Sequence, residues 1–119
     1  MEQKYIKDDI VMYDNRIHTI IDTIGLNNYE LSYVRHPVNK AELSGVHITP
    51  EFLKKNGWKK FNRPYRRDYC FRRKRYPTLN IRSNNEVYFH WGDNYKSITA
   101  VHQLQHLLFG LGINHEMEV

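Results

Sequence analysis

Hydrophobic and polar residues alternate in short runs through the first third of the chain. The runs richest in β-branched and aromatic side chains are residues 5–13, 17–24 and 29–34. Asp14-Asn15 and Gly25 lie between them, and residues of these types favour tight turns. The pattern predicts three short strands in a twisted meander, which needs a covering element to be stable.

The third run and the segment after it differ in regularity. Tyr29, Leu31 and Tyr33 occupy every second position, so they are expected to share one face of the meander. Residues 35–48 contain Pro37 and Gly45, which interrupt regular structure. This segment is predicted to be an irregular connector.

A compact helix pattern follows the connector at residues 49–57. Thr49 is suited to cap the first turn, Pro50 to occupy the first helical position, and Gly57 to end the helix. Glu51 in the first turn and the Lys pair before the end complement the helix dipole. The sequence predicts a helix of two turns.

Strand patterns return in the second half of the chain. The predicted strands are residues 58–62, 69–74, 79–82 and 86–91, with Asn84-Asn85 as a hairpin turn. In the last of them, Val87 and Phe89 share a face with Trp91, opposite Tyr88 and His90. Neither face of residues 69–74 is uniformly apolar, which favours an edge position, where Lys and Arg block unwanted pairing.

The end of the chain carries a longer helical pattern, after residues 92–94 break the strands. Val101, Leu104, Leu108 and Leu111 repeat at helical spacing within residues 98–113. This helix is predicted to pack on the second group of strands. Gly110 and Gly112 are expected to end it.

Charge is distributed unevenly along the 119 residues. Residues 54–75 hold eleven Lys or Arg and one acidic residue, whereas the rest of the chain has a net charge of −5. A block of like charge repels itself unless acidic parts of the same chain or an anionic partner offset it. Six of the eleven are Arg, whose planar guanidinium suits phosphate groups and stacks on aromatic rings or bases.

The stretch "FNRPYRRDYCFRRKRY", residues 61–76, interleaves this charge with five aromatic residues. Proteins that bind single-stranded nucleic acid combine a cationic surface with rings on which bases stack. The candidate residues for binding nucleic acid or another anion are Arg63, Tyr65, Arg66, Arg67, Tyr69, Arg72, Arg73, Lys74, Arg75 and Tyr76. A nucleotide in a pocket, an acidic protein surface, and a merely solvated block of charge are the alternatives.

Other chemistry has weak support in the sequence. His102 and His106 are four residues apart and could join His90, or His115 with Glu116, at a metal, but an ordinary polar helix face explains them better. Phosphate-loop, dinucleotide-binding and nucleophile-elbow motifs are absent. The lone Cys70 is expected to be a buried hydrophobe. We therefore expect no enzyme, cofactor or metal.

Two stretches carry a family resemblance. "HITPEFLKKNGWKK" and "ITAVHQLQHLLFGLGINHEMEV" resemble the two characteristic segments of a group of small proteins from Bacteroidota and their phages, although Ala100 stands where that group has Tyr. The resemblance implies an SH3-like meander in the N-terminal 48 residues. It implies a phage or mobile-element setting but no activity.

These inferences combine into an α+β fold. An SH3-like β-meander with its connector is expected in residues 1–48; a short helix, a second antiparallel β-meander and the C-terminal helix are expected in residues 49–119. The expected function is non-enzymatic binding of nucleic acid or a nucleotide, and the alternative is inhibition of a host defence protein through the same patch. The charged N-terminus and the lack of a long apolar segment favour a cytoplasmic protein without a membrane partner. The oligomeric state, including a dimer, stays open.

Overall fold

Two antiparallel sheets and two helices form the described part of the computed structural model, which covers residues 5–61, 69–82, 86–92 and 94–118. The predicted α+β class is confirmed. The strands of the N-terminal sheet are β1 (Ile10–Tyr13), β2 (Arg16–Ile24), β3 (Asn28–Leu31), β4 (Val38–Asn39) and β5 (Ser44–Gly45). Those of the C-terminal sheet are β6 (Lys59–Phe61), β7 (Tyr69–Arg72), β8 (Thr78–Ile81), β9 (Val87–Trp91) and β10 (Asn94–Ile98). The helices are α1 (Pro50–Lys55) and α2 (Val101–Gly110).

The N-terminal sheet has the strand order β4-β3-β2-β1-β5. Asp14 and Asn15 have φ angles of 50° and 60°, and Tyr13 pairs with Arg16, so the predicted turn is a two-residue hairpin loop. The predicted first strand is shortened to Ile10–Tyr13 because the chain turns before it: the amide of Asp9 bonds the carbonyl of Ile6 at 3.1 Å.

Two expectations for this half of the chain are wrong. Tyr33 does not share the face of Tyr29 and Leu31: it is 99% exposed and has a φ of 62°, because β3 ends at Leu31. The connector is also more regular than expected. It holds β4, a 3₁₀ turn at Lys40–Glu42 and β5, because the Asn39 side chain caps the turn by accepting from the Ala41 amide at 2.9 Å.

Helix α1 forms as the local sequence predicts. The Thr49 hydroxyl accepts from the Phe52 amide at 3.2 Å, and Pro50 is the first helical residue. Gly57 has a φ of 92°, and the amide of Trp58 reaches back to the carbonyl of Leu53 at 2.9 Å, which closes a Schellman motif. This motif places Trp58 in the hydrophobic core.

The C-terminal sheet has the order β10-β9-β8-β7-β6. The expectation that the basic strand lies at an edge is wrong, because β7 pairs with β6 on one side and β8 on the other. Its interior residues Cys70 and Phe71 are both fully buried, and most of the segment's described charge lies at the strand end and in the next turn. Strand β10 was not predicted from the sequence and forms the opposite edge.

Helix α2 is shorter at both ends than the predicted span. Ile98 belongs to β10, and the side-chain oxygen of Gln103 accepts from the amides of Thr99 and Ala100 at 2.7 and 3.0 Å, so the helix begins at Val101. Gly112 has a φ of 71° and ends it. In the described ranges, neither helix is long and apolar enough to cross a membrane.

The described residues enclose two hydrophobic clusters that meet at β1. The larger cluster joins α1, α2 and one face of the C-terminal sheet, with Leu79, Phe89 and Leu104 among its buried members. The smaller one lies inside the N-terminal sheet. Ile10 belongs to the larger cluster and Val11 to the smaller one, because successive residues of a strand point to opposite faces.

A buried amide joins α2 to the start of β1. Gln105 is fully buried; its oxygen accepts from the Ile10 amide at 2.8 Å, and its nitrogen donates to the carbonyls of Asp8 and His115 at 2.7 and 3.1 Å. Three hydrogen bonds satisfy this side chain, as a buried polar group requires. They fix α2 against the N-terminal sheet.

Candidate functional site

One face of the C-terminal sheet is buried, and the other is partly or fully exposed except at the buried Cys70. Phe71, Leu79 and Phe89 lie directly opposite one another across three strands and are buried. Side chains at the alternate positions therefore point to the opposite side. We call that side the outer face; its members are Lys59, Phe61, Cys70, Arg72, Thr78, Asn80, Arg82, Tyr88, His90, Tyr95 and Ser97.

A stack of two tyrosines and one arginine lies at the β8–β10 side of the outer face. The rings of Tyr88 and Tyr95 are 5.0 Å apart between centroids and inclined by 14°. The Arg82 guanidinium lies 4.2 Å from the Tyr88 centroid, and its Nη2 lies 3.4 Å from the Tyr95 hydroxyl. We call these three residues the tyrosine stack. Tyr95 is 51% exposed, so the stack offers a flat aromatic surface to a ligand.

Two hydrogen bonds affect the protonation of the side chains in the tyrosine stack. The Tyr88 hydroxyl donates to Oε2 of Glu86 at 2.5 Å, and this bond raises the pKa of Tyr88. The bond to Tyr95 raises the pKa of Arg82. The phenol is therefore neutral and the guanidinium charged at neutral pH. The stack presents a cation beside rings, which suits an anionic and aromatic ligand.

A basic pocket lies at the other side of the outer face, beside β6. It has a volume of about 410 Å³ and is lined by Gly57, Lys59, Phe61, Arg72, Arg73 and Lys74. Lys59 lies directly opposite Arg72 in the β6–β7 register, and the Arg72 guanidinium lies 5.1 Å from the Phe61 ring centroid. Phe61 is 47% exposed. This pocket places one ring among four cationic side chains.

The sequence-predicted residues are divided between several places. Arg63, Tyr65, Arg66 and Arg67 lie outside the described residues. Arg72 lies on the outer face, and Arg73 and Lys74 line the basic pocket with it. Arg75 is exposed in the turn after β7, with a φ of 67°.

Tyr69 and Tyr76 are not on the outer face. Tyr69 lies opposite the buried Ile81, and the Lys60 ammonium lies 3.8 Å from the centroid of the Tyr69 ring. Tyr76 packs edge-on against Trp58 at 5.3 Å, with the Arg73 guanidinium 3.8 Å from its ring centroid. Tyr76 therefore packs against the core, whereas Tyr69 is 44% exposed beside Lys60.

Arg73 has a structural contact as well as its place in the pocket. Its Nη1 donates to the carbonyl of Asn56 at 2.7 Å, at the end of α1. A guanidinium has five N–H donors, so this bond leaves others for a ligand. The same side chain can therefore cap the helix and line the pocket.

Five side chains of the tyrosine stack and the basic pocket were not among the predicted site residues: Lys59, Phe61, Arg82, Tyr88 and Tyr95. The alternation in residues 86–91 does place Tyr88 opposite the core, so that signal was present in the sequence. Tyr95 could not be assigned because β10 was not predicted.

The histidines of α2 form a separate cluster with the N-terminal segment. His106 bonds the buried Asp9, and the His102 ring lies 5.9 Å from the His106 ring and 5.0 Å from the Tyr5 ring. Among the described residues, no three His, Cys, Asp or Glu side chains come together as a metal site would need. The contacts of His106 and Asp9 are those of an internal polar link.

The fold and the outer face thus define an α+β protein with an exposed basic and aromatic sheet surface. Comparison with known protein families, with curated proteins and with solved structures finds no match to this chain.

Proposed function

We propose that the protein binds single-stranded nucleic acid on the outer face of its C-terminal sheet, without catalysis. The tyrosine stack is the observation that carries this proposal. Exposed rings on an antiparallel sheet are a recurring platform for unstacked bases. The cations of the basic pocket supply the contacts to phosphate that such a surface also needs.

A single strand suits this surface better than a duplex. In a duplex the flat faces of the bases are covered by their neighbours, so a ring on a sheet cannot stack on them. In a single strand each base can rotate out and lie on Tyr95 or Phe61, which are both about half exposed. The outer face combines such rings with Arg72 and Arg82, as binders of single strands do.

The wider setting of the protein belongs to the same proposal. The N-terminal sheet would be an SH3-like barrel, supported by its five short strands and by the 3₁₀ turn before β5. A phage or mobile-element origin, which the family resemblance implies, and a cytoplasmic location are part of this proposal. The sheet that binds would then be attached to a small barrel.

A protein partner is the second candidate. Arg and Tyr are the residues that most often dominate protein interfaces, and Arg82, Tyr88 and Tyr95 form one exposed group. The partner would be a host defence factor with an acidic surface. It would compete with nucleic acid for the same residues.

Fluorescence anisotropy with labelled single-stranded DNA, single-stranded RNA and duplex DNA tests the proposal. Replacing a stacking ring with Ala costs about 1–3 kcal/mol per base, so Tyr95→Ala should weaken single-strand binding about 5- to 150-fold. Tyr33→Ala is the matched control, because Tyr33 is 99% exposed on the N-terminal half. It should leave affinity unchanged.

Two results would overturn the proposal. Binding weaker than micromolar near physiological salt to every oligonucleotide would remove nucleic acid as the ligand. An equal loss in Tyr95→Ala and Tyr33→Ala would remove the outer face as the site. Co-purification of an acidic protein that Tyr95→Ala releases would then favour the second candidate.

A further inference from the structure

Two like charges oppose each other at the edge of the C-terminal sheet. Lys59 on β6 lies directly across from Arg72 on β7, and both are exposed. Like charges in this arrangement destabilise a sheet. In the described part of the chain, no carboxylate forms a salt bridge with either side chain. An anion held between them would offset the repulsion.

The basic pocket holds more positive charge than is needed to neutralise one phosphodiester of a nucleic-acid backbone. Lys59, Arg72, Arg73 and Lys74 line it, and none of its six lining residues is acidic. An internal phosphodiester carries one negative charge, whereas a phosphate monoester carries about 1.5 to 2 at pH 7. The guanidinium groups can also hold the oxygens of a phosphate in pairs. The charge of the pocket matches a monoester better.

The walls of the pocket leave space for this group. Gly57 forms one wall, and a Cβ there would lie 3.2 Å from Nε of Arg73. The volume of about 410 Å³ exceeds that of a phosphate alone, and the Phe61 ring is present to contact the attached sugar or base. The pocket therefore fits a phosphate together with the first nucleoside.

The position of the pocket also suits the end of a strand. β6 and β10 are the two outermost strands of the C-terminal sheet. Four strand spacings of about 4.8 Å separate them, or roughly 19 Å. A single strand that stacks on the tyrosine stack and crosses the sheet would reach its last nucleotide near Phe61.

We propose that the basic pocket binds a phosphate monoester, namely the terminal phosphate of a nucleic-acid strand. This inference rests on the proposed function, because the rest of the strand would lie on the outer face. A free mononucleotide carries the same group, so the test must separate the two sources.

Competition anisotropy with unlabelled oligonucleotides of one sequence tests this inference. The competitors carry a 5′-phosphate, a 3′-phosphate or hydroxyls at both ends, and adenosine 5′-monophosphate is the fourth. One phosphorylated end should improve affinity tenfold or more. That gain should disappear in Lys59→Gln/Arg72→Gln and persist in Arg82→Gln, which weakens all the oligonucleotides but leaves the pocket intact.

The melting temperature of the double variant provides a check on folding and a second test. Both replaced side chains are exposed, and their repulsion is removed. The unliganded Lys59→Gln/Arg72→Gln protein should therefore melt at the same temperature as the parent or a higher one. A lower melting temperature would overturn the claim that the opposed charges of Lys59 and Arg72 destabilise the protein when no anion is bound.

The outcomes separate this inference from the proposed function. Equal binding of all three oligonucleotides, still dependent on Tyr95, would overturn the terminal-phosphate site and leave the proposed function standing. No binding of any oligonucleotide would overturn both. Competition by the mononucleotide as strong as that of the phosphorylated strand would support the monoester pocket but overturn the strand end as its source.

Discussion

Nε2 of His106 lies 2.6 Å from Oδ2 of Asp9, and the Asp9 carboxylate is completely buried. The pair joins α2 to the residue before β1, next to the hydrogen bonds of Gln105. The same carboxylate oxygen accepts from the Ile6 amide at 2.9 Å. This link therefore holds three parts of the chain together: the N-terminal turn, the N-terminal sheet and the last helix.

Replacing the Asp9 carboxylate should destabilise the whole fold. In Asp9→Asn an amide replaces the carboxylate whose Oδ2 contacts His106 and the Ile6 amide, and a buried polar group left unsatisfied costs about 1–3 kcal/mol. Urea denaturation followed by tryptophan fluorescence measures the loss. Asp8→Asn is the control, because Asp8 is 36% exposed and lies 3.8 Å from His115; its cost should stay within about 0.5 kcal/mol. Equal costs in the two variants would contradict a special role for Asp9.

His102 should make stability depend on pH. Burial lowers the pKa of His102 below its ordinary 6.5, and the effects of Asp9 and His106 are secondary. As pH falls below 6.5, the unfolded chain therefore binds a proton at this residue before the folded chain does, and the free energy of unfolding decreases. Above that pH the contribution is fully present. The effect is lost in His102→Gln.

Urea midpoints at pH 7.5, 6.5 and 5.5 measure this dependence. The His102→Gln protein should lose less stability over this range than the parent. His36→Gln is the control, because it removes an exposed histidine from the N-terminal half. If the parent and His102→Gln change in parallel, the burial of His102 does not control the pH response.

Gly57 and Gly110 should respond in opposite ways to Ala. Gly57 has a φ of 92°, where an L-residue costs about 1–2 kcal/mol, and its new Cβ would press on Arg73. Gly110 is helical, and a Cβ there meets nothing within 4 Å, so Gly110→Ala should be neutral or stabilise by roughly 0.5–1 kcal/mol. Thermal melting of the two variants gives the signs. A neutral Gly57→Ala would mean that the end of α1 adjusts without strain.

Arg82 should contribute to the salt dependence of binding. Each phosphate contact on a single strand adds about 0.7 to the slope of log affinity against log salt concentration. Arg82→Gln should therefore lower the magnitude of that slope by about 0.7. Arg16→Gln, which removes an exposed charge on the N-terminal sheet, should leave it unchanged. Anisotropy titrations at four salt concentrations measure both slopes, and identical slopes for the parent and Arg82→Gln would exclude a phosphate contact there.

Local chemistry made some elements predictable from the sequence. Helix α1 depends on Thr49, Pro50 and Gly57, whose effects act within a few residues, and it forms where expected. The hairpin at Asp14-Asn15 forms for the same reason. Strand β10 escaped prediction because Tyr95, Lys96 and Ser97 have no apolar alternation of their own, and pairing with β9 holds them in the sheet.

The candidate surface depended on contacts that no sequence window contains. The tyrosine stack joins Arg82, which follows β8, to Tyr88 on β9 and Tyr95 on β10. The opposed pair of Lys59 and Arg72 depends on the β6–β7 register. The charged segment predicted Arg72, Arg73 and Lys74, and these three side chains line the basic pocket. Strand alternation already separates Tyr69 from Arg72, whereas the contact of Tyr76 with Trp58 depends on the fold.

Strand β1 contributes residues to both hydrophobic clusters, and this affects how the protein unfolds. Ile10 and Val11 are adjacent, yet each is fully buried in a different cluster. A slip of one residue in β1 would exchange their faces and remove Ile10 from the larger cluster and Val11 from the smaller one at once. We therefore expect the two halves to unfold together, in a single cooperative step.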